Sequence, residues 1–214
     1  LLTSLVLLPI IIGATLIGGV PFGVMGIITA VIALLELRRI VNRWRGIFVV
    51  SPPLRVLLPF YILLPAFGIF YLRLVVPDGL TWIALVFALT WGTDTFAYIG
   101  GRLWGKTLLA PKISPKKTVE GAITGVIGAF FIGLIVLLIT EKFAPVFLIL
   151  LIGAPIAAII GDLVESALKR AADVEESHLP GLNLFPGHGG VLDRIDSLIF
   201  VATVCALFIF YIVL

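Results

Sequence analysis

Carboxylates, lysines and arginines collect in three stretches of a chain otherwise dominated by Leu, Ile and Val. In "WGTDTFAYIGGRLWGK", Asp94, Tyr98 and Arg102 recur at i, i+4 and i+8, which stacks them on one side of a helix. Gly100, Gly101 and Gly105 follow and permit close backbone approach to a ligand. Lys106, Lys112, Lys116 and Lys117 then surround Ser114-Pro115, and Thr118 with Glu120 opens the next helix. A helix N-terminus beside lysines suits phosphate, although no Walker-type loop occurs here. In "GDLVESALKR", Asp162, Glu165 or Ser166, and Lys169 share a helical face, with Arg170 adjoining. In "FPGHGGVLDRIDS", the glycines Gly187, Gly189 and Gly190 around His188 make a backbone turn before Asp193, Arg194 and Asp196.

Each stretch also has a plainer reading. The lysines alone are what a cytoplasmic loop and a helix cap would carry. Asp162 alone is what a solvated cap or an ion-pair partner would look like, and His178 and His188 are isolated. Asp94 shifts the balance, because an ionisable residue inside an apolar span is costly and faces a polar cavity. Hard cations such as Mg2+ take carboxylate oxygens together with phosphates and water, whereas zinc would want the Cys and His clusters that this chain lacks. Acids to hold a cation and bases to hold phosphate, at one level of the bilayer, are what nucleotide-dependent phosphoryl or nucleotidyl transfer requires.

The elements that must position these residues follow from composition. Of the 214 residues, 61% are hydrophobic and 13% charged, far more apolar than a soluble domain. The expected fold is an all-α, polytopic membrane helical bundle. Seven apolar runs approach the length needed to cross the hydrocarbon: 2–18, 20–37, 54–76, 80–100, 119–140, 144–165 and 196–214. The first lacks a clear cleavage site and reads as a span rather than a signal peptide. The long connections, 38–53, 101–118 and 166–195, carry most of the basic residues, among them Arg38, Arg39, Arg43, Arg45 and Arg55 in or beside the first. The positive-inside rule makes their shared face cytoplasmic, with the N-terminus inside and the C-terminus outside. The same rule explains the excess of 15 Lys and Arg over 12 Asp and Glu, so nucleic acid is not an expected partner. The single cysteine, Cys205, excludes an intrachain disulfide. A single membrane domain over 1–214 is expected, with N-terminal spans over 1–90 and the motifs over 91–200.

The stretch "SALKRAADVEESHLPGLNLFPGHGGVLDRID" resembles the C-terminal signature of the phosphatidate cytidylyltransferases, or CDP-diacylglycerol synthases. That signature runs Ser-x-x-Lys-Arg and later Pro-Gly-His-Gly-Gly-x-x-Asp-Arg-x-Asp, matched here by Ser166, Lys169, Arg170, Pro186 to Gly190, Asp193, Arg194 and Asp196. Residues 94–121 are similar to the family's other conserved block, which ends Ser-Pro-x-Lys-Thr-x-Glu-Gly. Two departures stand out. Glu175-Glu176 replaces the family's Lys-Asp, and the stretch from there to Pro186 is longer than the pattern. The N-terminal third is also shorter than is usual for the family.

The resemblance implies transfer of cytidylyl from CTP to phosphatidate, giving CDP-diacylglycerol and pyrophosphate, at a cytoplasm-facing cavity of a bacterial inner membrane. It implies Mg2+, with a second cation left open, and a homodimer. The metal ligands expected on this basis are Asp162 and Asp193, then Asp196 and Asp94. Arg102, Lys106, Lys116 and Lys117 would clamp nucleotide phosphates, supported by Tyr98, Ser114, Thr118, Glu120, Ser166 and the turn Gly187 to Gly190. Lys169, Arg170 and Arg194 would hold the lipid phosphate or the leaving group. The alternatives are a transporter with an intramembrane acidic site and a CTP-dependent lipid or polyprenol kinase. A CDP-alcohol phosphotransferase is disfavoured, since Asp78-Gly79 leads into "LTWIAL" rather than that family's signature.

Overall fold

The structure, a computed structural model, describes residues 2–43, 57–179 and 189–212. Gly187 and His188 of the expected site, and Arg45 and Arg55 of the first basic connection, lie outside the described residues. Seven helices occur among the described residues: α1 (Leu2–Ile17), α2 (Gly19–Arg43), α3 (Phe60–Leu74), α4 (Gly79–Trp104), α5 (Val119–Ile139), α6 (Phe147–Ala171) and α7 (Leu192–Ile212). Two short strands, β1 (Leu108–Ala110) and β2 (Ser114–Thr118), separate α4 from α5.

The chain is a multi-pass membrane protein. Five helices, α2, α4, α5, α6 and α7, are long and apolar enough to cross a bilayer. The expected count of about seven spans is not confirmed among the described residues, where the other two helices, α1 and α3, are shorter at 16 and 15 residues.

Several helices run past the apolar runs that announce them. α2 continues to Arg43, α4 to Trp104 and α6 to Ala171, while α7 begins at Leu192 rather than 196. An apolar run marks only the length that lipid covers. Backbone hydrogen bonding continues beyond it until a breaker intervenes, so basic residues such as Arg39, Arg102 and Lys169 ride on helices rather than loops. The second long connection, read as loop from the sequence, contains an antiparallel pairing of β1 with β2, Leu108 opposite Thr118 and Ala110 opposite Ser114. Pro115 is compatible with this two-stranded ribbon because each strand has an unpaired edge.

Two compact units are distinguishable, Leu1–Leu80 with Leu168–Ile195, and Thr81–Ala167 with Asp196–Leu214. In the first, Arg73 of α3 donates to the carbonyls of Thr15 (3.0 Å) and Leu16 (3.2 Å). These are among the carbonyls left over at the end of α1. Phe22 packs edge-on against Phe70, with ring centroids 6.1 Å apart.

In the second unit, one face of α5 is made of glycine and the other of large apolar side chains. Ile123, Ile127, Phe131 and Ile135 are exposed, as a lipid-facing stripe would be. Gly121, Gly125, Gly128 and Gly133 are buried. A Cβ at Gly125 would lie 2.9 Å from the Thr93 carbonyl, and one at Gly128 would fall onto the Phe96 ring. Small residues at such a seam let α4 and α5 approach closely, the usual device where lipid gives no hydrophobic drive between helices. Trp82 stacks on Phe147 at 5.6 Å at another part of this core.

Candidate active site

The second unit contains a cavity of about 570 Å³. Thr93, Asp94, Ala97, Tyr98, Gly101 and Arg102 line it from α4, as their helical spacing predicts. The hairpin contributes Leu109, Ser114, Lys116 and Lys117, and α6 contributes Ile159 and Asp162. A volume of this order lies within the range that takes ligands of nucleotide size.

Its charges are paired in a definite way. Lys117 forms an ion pair with Asp162, and neither side chain is fully buried. Ser166, one turn on along α6, directs its hydroxyl at the other Asp162 oxygen at 3.4 Å. Arg102 donates to the Tyr98 hydroxyl at 3.1 Å. Asp94 accepts from Ser197 at 3.4 Å, and Asp196 accepts from the Ser197 amide at 2.7 Å. Asp94, Asp162 and Asp196 lie within electrostatic reach of one another and of Lys117.

Among the described residues, no three His, Cys, Asp or Glu side chains form a ready-made metal cage. Mg2+ does not need one, because it binds through one or two carboxylates, waters and substrate phosphates. The oxygen-only donor set of Asp162, Asp94 and Asp196 fits that chemistry.

Thr118 caps α5: its hydroxyl accepts from the Gly121 amide at 3.1 Å, with an extended backbone at the cap. Glu120 does not line the cavity. Its carboxylate accepts from the amides of Lys106 (3.1 Å) and Thr107 (3.2 Å), pinning the end of the α4–β1 connection. Lys106 itself is exposed and outside the cavity lining.

The remaining signature residues belong to the first unit. Asp193 accepts from Lys169 at 2.7 Å, from the Ser177 amide at 3.0 Å and from the Gly190 amide at 2.7 Å. Gly189 has φ +77°, and a Cβ there would collide with the Asp193 carboxylate. The first glycine of the pair therefore turns the chain, and its bareness lets Asp193 reach back. Arg170 closes the last turn of α6, and Arg194 sits in the first turn of α7. Sequence reasoning missed Glu36 and Ser177, which hydrogen-bond one another at 2.9 Å in the interior of this unit. The available signal was a lone acid at the end of an apolar run, "AVIALLELRR".

A profile described as the cytidylyltransferase family matches residues 48–212. The chain belongs to the cytidylyltransferase family. Its relatives include proteins named phosphatidate cytidylyltransferase. The one from Staphylococcus haemolyticus is 42% identical over 136 residues, covering 63% of this chain and 51% of that protein. The one from Bacillus subtilis is 45% identical over 125 residues, 58% of this chain and 45% of that protein. The Haemophilus influenzae protein is 41% identical over 160 residues, 69% of this chain and 54% of that protein. The chain thus spans about half the length of the curated relatives it matches. The family's matched region holds the whole cavity lining and both signature clusters, while Glu36 lies outside it.

Proposed function

We propose that this protein is a phosphatidate cytidylyltransferase, joining CTP and phosphatidate to give CDP-diacylglycerol and pyrophosphate. The observation that carries the reading is the cavity in which Asp162 and Lys117 meet beside Arg102, Lys116 and Asp94. A phosphate oxygen of phosphatidate attacks the α-phosphorus of CTP in line. The bond from that phosphorus to the bridging oxygen of the β-phosphate breaks, and pyrophosphate leaves with the electron pair. The attacking oxygen is already anionic, so no strong general base is needed, and catalysis rests on placement and charge neutralisation.

Lys116, Lys117 and Arg102 offset the triphosphate charge, and the Ser114 hydroxyl supplies a further donor. Tyr98 accepts from the Arg102 guanidinium, and both residues line the cavity. Asp162, with Asp94 and Asp196, would hold Mg2+, which when bound supplies positive charge to the phosphate oxygens. Asp193, Lys169, Arg170 and Arg194 are assigned to the reaction on family membership. Lys169, Arg170 and Arg194 take the lipid phosphate or the leaving group.

The basic ends of α2, α4 and α6 support a cytoplasmic opening by the positive-inside rule. CTP is cytosolic and phosphatidate lies in the leaflet, which supports the same side. The two short helices α1 and α3 are assigned as further spans of a bundle over the whole chain, and the assembly as a homodimer. Cross-linking in native membranes tests the last point.

The deciding experiment uses purified protein in detergent with CTP, phosphatidate and Mg2+. CDP-diacylglycerol and pyrophosphate should form in equal amounts, and EDTA should stop both. Release of CDP with a phosphorylated lipid would indicate a kinase instead. Absence of any nucleotide turnover, while an active relative succeeds alongside, would refute the enzyme.

A further inference from the structure

We propose that Glu36 on α2 is the positioning residue that sets the first turn of α7, and with it Asp193, in working geometry. Glu36 is 2% exposed, and a carboxylate in an apolar helix of this kind is expensive unless something specific holds it. It accepts from three donors: the Val191 amide at 3.0 Å, the Leu192 amide at 2.7 Å and the Ser177 hydroxyl at 2.9 Å. The two amides open α7, where backbone N–H groups have no partner within the helix. A negative charge at that end also complements the helix dipole.

The local sequence explains why the cap comes from so far away. Gly189, Gly190 and Val191, immediately before α7, offer neither hydroxyl nor carboxylate to cap it. A carboxylate 155 residues earlier does so instead. Gly190 shows how closely it approaches. A Cβ there would lie 2.6 Å from both Glu36 oxygens and would collide with the Ser177 hydroxyl. The second glycine of the signature pair is therefore bare because Glu36 and Ser177 occupy the space beside it.

Ser177 relays the constraint. Its hydroxyl binds Glu36 and its amide binds Asp193. Its carbonyl accepts from Arg39, one turn along α2 from Glu36, at 3.4 Å. Asp193 in turn holds Lys169. A continuous polar chain thus runs from α2 to the end of α6, through Glu36, Ser177, Asp193 and Lys169. Removing the carboxylate leaves the Val191 and Leu192 amides unmet and Ser177 free to turn.

The kinetic half of the test rests on the cytidylyltransfer reading, and the exchange half does not. The full chain in detergent is compared with Glu36→Ala and Glu36→Gln, the latter keeping the volume and one acceptor oxygen. Amide hydrogen exchange over 189–195 should quicken by about tenfold or more in Glu36→Ala, with α5 unchanged. Turnover per folded molecule should fall about 100-fold while KM for CTP moves less than about threefold, and Glu36→Gln should fall between. A merely structural role would lower the folded fraction and leave turnover per folded molecule intact. Unchanged exchange at 189–195, or quickened exchange with unchanged turnover per folded molecule, overturns the proposal. If Glu36→Ala does not fold, Glu36→Gln is held to the same criteria. An inactive parent chain would defeat the proposed function, and exchange alone would then decide whether Glu36 holds the turn.

Discussion

Lys117 on β2 and Asp162 on α6 form an ion pair at the cavity wall, although 44 positions of the chain fall between them. Under the proposed reaction, the pair would bring a lysine for phosphate and a carboxylate for a cation to one point. Lys117 also acts electrostatically on Asp94 and Asp196. Lys117→Met should therefore reduce turnover about 100-fold and raise KM for CTP. Lys116→Met, which removes a neighbour on the same cavity without breaking the pair, should cost less. Steady-state rates at varied CTP check both.

Asp162→Asn should lower turnover by ~10²–10³, the loss typical of a charge aimed at a developing transition state. Its stability should barely change, because a partly exposed pair contributes only about 0–1 kcal/mol. Thermal melting in detergent and pyrophosphate release, measured on the same preparation, separate the two effects.

Asp193→Asn should behave differently. Its carboxylate is mostly buried and holds Lys169 together with two backbone amides. Breaking a buried pair while leaving its partner in place costs about 3 kcal/mol or more. Turnover should disappear and the melting transition should drop together, in contrast to Asp162→Asn. Melting curves that superimpose on the parent chain would contradict this account of Asp193.

Gly128→Val should destabilise the second unit by about 1–3 kcal/mol, since the added carbons meet the Phe96 ring. Gly153→Ala, in α6 where nothing lies within 4 Å, should instead be neutral or stabilising by up to about 1 kcal/mol. Denaturation in mixed micelles gives both numbers.

The positions at which the sequence was informative are those where a short-range pattern carries the information. Asp94, Tyr98 and Arg102 line the cavity because helical spacing puts them on one face. The glycines before Asp193 were recognisable as a turn because glycine alone tolerates what happens there. Helix ends were less legible, since the apolar runs stop at the lipid boundary and the hydrogen-bonded backbone does not. The β1–β2 ribbon escaped notice because three- and five-residue strands of mixed polarity carry no usable alternation. Glu36 escaped for another reason. Its partners are far along the chain, and a cap supplied from another helix leaves no mark beside the helix that it caps. Glu120 was placed among substrate contacts by its neighbourhood, whereas its bonds go to the Lys106 and Thr107 amides.

Cys205 is the chain's single thiol and is buried in α7. A maleimide added to the intact protein should thus find no ready target, and the native chain serves as its own blank for labelling. One thiol introduced at Lys112, exposed on the hairpin, would carry a fluorophore or spin probe without further cysteine removal. With a membrane-impermeant reagent and vesicles of known sidedness, that one label reports which aqueous compartment the hairpin faces.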